Sequence, residues 1–359
     1  MFWYKVKKYA LVTGSSGLIG SESVSFLCST GYEVIGIDNN LREFFFGKEA
    51  STHWNTARLS KLYSYDFRAL NIDIRDYDKL EAVFKEFDFE LIIHAAAQPS
   101  HDWAAKDPQT DFSVNANGTL NLLELTRIYR PNATFIFTST NKVYGDNPNK
   151  LPLIELNTRY EVDSNNKYWA GIDENMSIDQ TTHSLFGVSK TSADLLTQEY
   201  SHYFGLKTAV FRGGCLTGPM HSPAELHGFL AYLVKCIVNE TPYTIFGYKG
   251  KQVRDNIHSK DLIQMFMEFH NNPKNNAVYN AGGGRGNSIS ILEAIEKISN
   301  ASNKTPIIKV NEENRVGDHQ WYITNNSKFQ KDYPNWKISF NLENLIDEMV
   351  FAAQKSNTE

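Results

Sequence analysis

The stretch Tyr9-Ala10-Leu11-Val12-Thr13-Gly14-Ser15-Ser16-Gly17-Leu18-Ile19-Gly20 constrains this chain more than any other. A short apolar run feeds straight into three glycines at three-residue spacing. A helical pattern follows in Val24, Leu27 and Cys28, with Gly31 placed to stop it. In a strand–turn–helix unit the first glycine permits a sharp turn and the second lets a diphosphate approach bare backbone. The third lets the helix lie close on the strand. The unpaired N–H groups and the dipole of such a helix start favour an anion. A second apolar run, Glu33-Val34-Ile35-Gly36-Ile37, ends in Asp38. The spacing, about twenty residues on, is that of an acid binding an adenosine ribose; a carboxylate there favours NAD and repels the extra phosphate of NADP.

Strand and helix signals then alternate. Strands are expected at 67–74, 91–94, 134–138 and 208–212, with helices at 77–87 and 111–129. This order predicts an α/β fold, a Rossmann doubly wound parallel sheet with a smaller mixed α/β substrate lobe. We expect 1–213 with a returning segment at about 253–285 to form the dinucleotide domain. Residues 214–252 and 286–359 then form the substrate lobe. Ligands of such sheets lie beyond the carboxyl ends of the strands, so the residues just after each strand carry the information. They are, in turn, the glycine loop, Asp38, Asp73-Ile74, His94-Ala95-Ala96-Ala97-Gln98 and Thr138-Ser139-Thr140-Asn141-Lys142-Val143-Tyr144-Gly145. The long polar connection 146–182 exceeds the usual loop length and reads as a lid. Ser290 and Glu293 make a capping-box pattern before a helix at 291–298.

Composition excludes several classes. With 359 residues the chain can bury a full core, and 41% hydrophobic and 21% charged residues are ordinary for a globular protein. A net charge of −5 argues against a nucleic-acid surface, so an anionic ligand must be held by local arginines. Three cysteines, Cys28, Cys215 and Cys236, have neither metal-ligand spacing nor an even framework, which points to a reducing cytoplasm and no metal site. The start Met1-Phe2-Trp3-Tyr4-Lys5 reaches a charge too soon for a signal peptide, and no window approaches the roughly 18 apolar residues of a membrane span.

The glycine loop, Asp38, Asp73-Ile74, His94-Ala95-Ala96-Ala97 and Val143-Tyr144-Gly145 together resemble the extended short-chain dehydrogenase/reductases, which act largely on nucleotide sugars with bound NAD. Within that group four segments are most similar to the CDP-paratose (CDP-tyvelose) 2-epimerases. They are Ser139 to Asp146, Thr158-Arg159-Tyr160, Gly250-Lys251-Gln252-Val253-Arg254-Asp255 and Gly317-Asp318. The resemblance implies NAD as cofactor, held by Gly14, Ser16, Gly17, Leu18, Ile19, Asp38, Asn39, Arg42, Asp73, Ile74, Ala95, Ala96, Ala97, Thr138 and Lys190. It implies a nucleotide sugar as substrate, contacted by Gln98, Ser100, Thr140, Asn141, Cys215, Arg254, Arg315 and Asp318. In that pattern Thr140 bonds the reacting sugar oxygen, Lys190 binds the nicotinamide ribose, the two arginines grip the diphosphate, and Asp318 lies near the nucleotide ribose. A homodimer is implied as well.

One position departs from the pattern. The usual base is a tyrosine four residues before the lysine, yet this chain reads Phe186-Gly187-Val188-Ser189-Lys190. A positioned acid–base group typically contributes about 10²–10⁴ in rate, so a substitute is expected. His101 or Asp102, after the fourth strand, is best placed; His183 and Thr140 are weaker candidates. A 4-epimerisation, a 4,6-dehydration or binding without turnover are the alternatives to C2 chemistry.

Overall fold

The computed structural model describes residues 7–225, 227–315 and 317–356, so the N-terminal stretch discussed above lies outside them. Seven strands form the central sheet: β1 (Lys8–Thr13), β2 (Tyr32–Ile37), β3 (Phe67–Leu70), β4 (Phe89–His94), β5 (Thr134–Thr140), β6 (Lys207–Gly213) and β7 (Ala277–Ala281). Their order is β7-β6-β5-β4-β1-β2-β3. β1 pairs in parallel with β2 on one side and β4 on the other, so the winding reverses there. Thr13 lies opposite both Ile37 and His94, which brings the three strand ends level and makes Gly14, Asp38 and Ala95 emerge side by side. A reversal point of this kind is where open α/β sheets bind ligands.

The strands form because they are short, β-branched or aromatic runs covered on both faces. Ala10, Leu11, Val12, Leu91, Ile92 and Ile93 are fully buried. Leu11, Ile35, Ile92, Leu122, Phe135 and Val210 join one core cluster between sheet and helices. Each such side chain contributes about 1.5–3 kcal/mol on burial. β3 ends at Leu70, earlier than expected. The helix expected from 111 instead runs as Pro108–Phe112, a π segment Ser113–Asn117, and Gly118–Tyr129.

Contacts divide the chain into two compact units. The first runs to Ser139 and takes in Ser189–Phe211 and Met265–Val278. The second comprises Thr140–Val188, Arg212–Gln264 and the chain from Tyr279. The sequence-based boundaries kept 140–188 in the dinucleotide domain, whereas its contacts belong to the second unit. The reason is apolar burial: Val162, Tyr168, Ile172 and Met176 share a cluster with Val143, Tyr144, Trp321 and Ile323. The connection 146–182, read as a lid, is thus a packed part of that unit. It carries a hairpin, Leu153–Glu155 with Tyr160–Val162. Arg159 pins this hairpin to Glu293, which also closes the expected capping box with Ser290 on helix Ile291–Ser302. Among the described residues no helix is long and apolar enough to cross a membrane, and no cluster of side chains suits a metal ion.

Candidate active site

On the first unit the glycine loop has the geometry that its spacing requires. Gly14 has φ +67°, and a Cβ there would meet Ala96 N at 2.7 Å. A Cβ on Gly20 would lie 2.0 Å from Gly14 O, so only glycine lets the helix Leu18–Ser29 seat on the loop. Gly17 differs: its nearest neighbour would be 3.4 Å away, and it caps the helix with no side-chain bond. A turn with room above it and helix N–H groups not engaged by a capping side chain fits a diphosphate.

Around this loop the other strand ends supply polar contacts. Asp38 accepts from Ser16 N at 2.9 Å and Asn40 N at 2.8 Å, leaving acceptor capacity on both oxygens for ribose hydroxyls. Burial raises its pKa against those two bonds. Asn39 donates to Asp73 at 3.0 Å, and Arg75 holds the same carboxylate through two nitrogens. Those bonds overcome the upward push of burial and keep Asp73 below its usual pKa. Ile74 is buried beneath Gly118, where a Cβ would lie 2.6 Å from it. Arg42 is half-buried 4.9 Å from the Phe46 ring, and burial brings its pKa down to about 10. Ala95 to Ala97 present small side chains, and Ala95 N bonds Thr13 O at 3.1 Å. Thr138 Oγ1 is buried without a hydrogen-bond partner among the described residues, a polar atom awaiting a ligand group. Leu18, Ile19 and Ser16 are buried at the helix start. NAD therefore fits the residues that line this unit's strand ends.

The loop after β4 is built differently from the sequence expectation. Gln98 is fully buried, and its amide donates to Ser100 O and to Asp111 at 2.9 and 2.7 Å. Its carbonyl oxygen accepts from Ser100 N. Ser100 in turn caps the helix His101–Lys106 through Trp103 N at 3.1 Å. These two residues, expected to touch substrate, hold the loop together, because a buried amide must satisfy both of its ends. Asn115, in the π segment, completes the network by bonding Gln98, Asp111 and Ser189. Neither Asp111 nor Asn115 stood out in the sequence; π segments often mark functional sites, but they leave no sequence signature. At the helix start His101 is half-buried and Asp102 is exposed.

Lys190 is buried on helix Leu185–Phe204, its Nζ donating to Thr138 O at 2.8 Å and lying 4.2 Å from the Phe137 ring. Burial lowers its pKa to about 7, opposed by Asp194 and Asp111. One turn earlier Phe186 is buried. His94 bridges Thr13 and Thr119 at 2.7 and 2.9 Å, and burial drops its pKa to about 3, so it is a neutral strut.

On the second unit a charged cluster forms around Asp318. Strand Val253–His258 alternates its side chains, which sends Arg254 and Asp255 to opposite faces. Arg254 Nη2 reaches Asp318 Oδ1 at 2.6 Å. Asp255 turns inward, accepting from Gly284 N and Thr324 N at 2.8 and 3.1 Å, and burial raises its pKa to about 6. Burial would raise Asp318 too, but Arg254 and Lys142 hold it well below the usual carboxylate range. Arg315 acts on the same carboxylate. Cys215 is a half-buried thiol whose pKa is pushed up to about 11 by burial, so it offers no anionic sulfur. Thr140 caps the turn Asn141–Tyr144 by accepting from Lys142 N at 3.2 Å. His183 Nε2 is 2.8 Å from Val143 O, a carbonyl that can only accept, so that nitrogen carries the proton. Sequence reasoning passed over Lys142 and His319. The signal for Lys142 was a long cation inside a strand-end motif of small and apolar residues.

The sheet reversal, the glycine turn and the acid at the end of β2 define a dinucleotide-binding protein of the short-chain dehydrogenase/reductase type. The chain belongs to the NAD dependent epimerase/dehydratase family, whose sequence model matches residues 10–282. Its cofactor is accordingly NAD. Over 302 residues the chain is 34% identical to the CDP-paratose 2-epimerase of Salmonella typhi, covering 82% of this chain and 84% of that protein. It is 30% identical over 289 residues to the UDP-glucuronate 4-epimerase of Thermodesulfobacterium geofontis, covering 80% and 79%. In fold it is similar to the UDP-glucose 4-epimerase of Thermus thermophilus solved with NAD, at TM-score 0.77 and 24% identity, covering 96% of this chain and 98% of that one.

Proposed function

We propose that the chain epimerises a nucleotide sugar, and that its target is C2 of a CDP-hexose of the paratose or tyvelose type, by way of a transient keto-sugar. The observation that carries this reading is that the Thr140, Arg254 and Asp318 motifs sit in a chain 34% identical to a CDP-paratose 2-epimerase. When bound, NAD supplies the means to take a hydride from the sugar carbon and return it to the other face. The chain's own residues do the rest. Lys190 holds the nicotinamide ribose, and Asp38 the adenosine ribose. Thr140 bonds the reacting sugar oxygen, Asn141 lies beside it, and Arg254 and Arg315 bind the diphosphate. With a phenyl ring at Phe186, His101 or Asp102 removes the hydroxyl proton and later returns it.

The test is direct. Purified protein is mixed with CDP- and UDP-hexoses, and C2 and C4 are followed by NMR in deuterated water. Inversion at C2 without deuterium on the carbon skeleton supports the proposal; deuterium uptake speaks for enolisation or dehydration. Inversion at C4 would favour the second reading, a 4-epimerase, which the 30% identity to a UDP-glucuronate 4-epimerase keeps in view. No turnover on any substrate would favour a binding protein, consistent with Phe186. Replacing the base, by His101→Ala or Asp102→Asn, should cut turnover by about 10²–10⁴ while NAD stays bound. Near-normal rates in both variants would remove these residues from the mechanism.

A further inference from the structure

Lys142 lies among the charges of the second unit, on the turn Asn141–Tyr144, with its side chain 16% exposed. Its Nζ donates to Gly317 O at 2.8 Å and stands 3.9 Å from Asp318 Oδ1, the oxygen that Arg254 holds at 2.6 Å. Arg315 acts electrostatically on both Lys142 and Asp318. Lys142 and Arg254 thus share one carboxylate, and with Asp318 ionised these three groups keep one positive charge in excess. Partly buried like charges are costly without counter-charge, so the excess suits a ligand that is itself anionic, such as a diphosphate. The 3.9 Å separation is too long for a hydrogen bond. A lysine whose whole task was to pair Asp318 would close that gap. An ammonium has three donors, and Gly317 O takes one.

We propose that Lys142 is a third cation for the diphosphate of the substrate, acting with Arg254 and Arg315, while Asp318 holds the three together. This rests on the nucleotide-sugar reading and deepens it by adding a residue to the grip on the diphosphate.

The cluster should also make nucleotide binding depend on pH. Burial lowers the pKa of Lys142 to about 8; Asp318 opposes this, while Arg254 and Arg315 reinforce it. Cys215, which faces the same ammonium, is raised to about 11, and His319 lies well below its usual value, both mainly through burial. Asp318 is already ionised, so around pH 8 Lys142 is the group that titrates. A dianion prefers the protonated lysine, and affinity should therefore fall as pH rises through that region.

Calorimetric titration of the full chain with CDP, at neutral pH and near pH 9.5, tests this. Lys142→Met should weaken CDP binding roughly 10- to 100-fold with NAD content retained, the range of a lost charged hydrogen bond. Lys142→Arg should restore most of the affinity and abolish the loss that the unmodified chain shows at high pH. A Lys142→Met variant within about twofold of the parent, or a parent affinity flat across that range, overturns the proposal alone. Should Lys142→Met fail to fold, the parent and Lys142→Arg titrations still decide. A parent chain that binds neither CDP nor UDP overturns the nucleotide-sugar reading as well.

Discussion

The two units carry two kinds of site. In the first, the proposed NAD bed is made mostly of backbone: a left-handed Gly14, a helix start capped by Gly17, and Asp38 tied down by two main-chain N–H groups. In the second, Lys142, Arg254 and Asp318 form the proposed substrate site with side chains drawn from distant parts of the sequence. Backbone geometry tolerates almost no substitution at its tight points and offers little to adjust. A side-chain cluster can lose one member, keep its fold and change its ligand. The first kind suits a cofactor that many relatives share, and the second a substrate that differs among them.

The sharpest way to break this contrast is at Gly20. An added Cβ would stand 2.0 Å from Gly14 O, a backbone atom that cannot yield without moving the loop. Gly20→Ala should abolish NAD binding, by displacing the helix or by preventing the fold. Gly17→Ala, with its nearest contact at 3.4 Å, should fold and melt near the parent temperature while binding NAD less well. Melting curves with and without NAD read both outcomes. A Gly20→Ala protein with parental NAD content would show that close backbone approach is not what builds the bed.

A smaller effect is expected at Arg254. Arg254→Met removes the 2.6 Å partner of Asp318 and one of the three cations. CDP affinity should drop about 100-fold, toward the upper end for a charged hydrogen bond, with NAD retention unchanged. Loss of both ligands in parallel would mean that the two sites are not energetically separate.

The same contrast explains what the sequence could disclose. Glycine spacing and apolar runs report backbone, so the glycine turn, the acid after β2 and the sheet are legible in the sequence. The role of 146–182 was not, because its polar residues read as a loose connection. Of its apolar side chains, Val162 and Ile172 are buried in a cluster with Trp321 and Ile323, some 150 residues away by sequence number. The part Gln98 plays in its own loop was hidden for a related reason. A glutamine at a strand end is equally suited to a ligand and to its own loop, and only the positions of Asp111 and Ser100 decide. Lys142 gained its meaning from Gly317 and Asp318, which no local pattern connects to it.

Acid stability provides the finest test of the comparison, since each unit buries a histidine in the neutral form. His94 joins Thr13 to Thr119 in the first unit, and His319 bonds Gly145 O in the second. The folded pKa of His94 is about 3, below the 6.5 of a free imidazole. Between those values the unfolded chain takes up a proton that the folded chain refuses, so stability falls as pH drops through the window. At pH 5 this one group should cost about 2 kcal/mol relative to neutral pH. In His94→Gln the amide can keep one of the two threonine bonds and does not titrate. The variant should therefore be less stable than the parent at pH 7 but lose less on acidification. Part of the slope must survive in it, because His319, also driven far below its usual pKa by burial, keeps its own share. Denaturant melts of His94→Gln and His319→Gln from pH 7 to pH 5 would separate the shares of these two histidines. An unchanged slope in His94→Gln would mean that the strut beneath the NAD bed is protonated, and that the first unit tolerates buried charge better than its apolar surroundings imply.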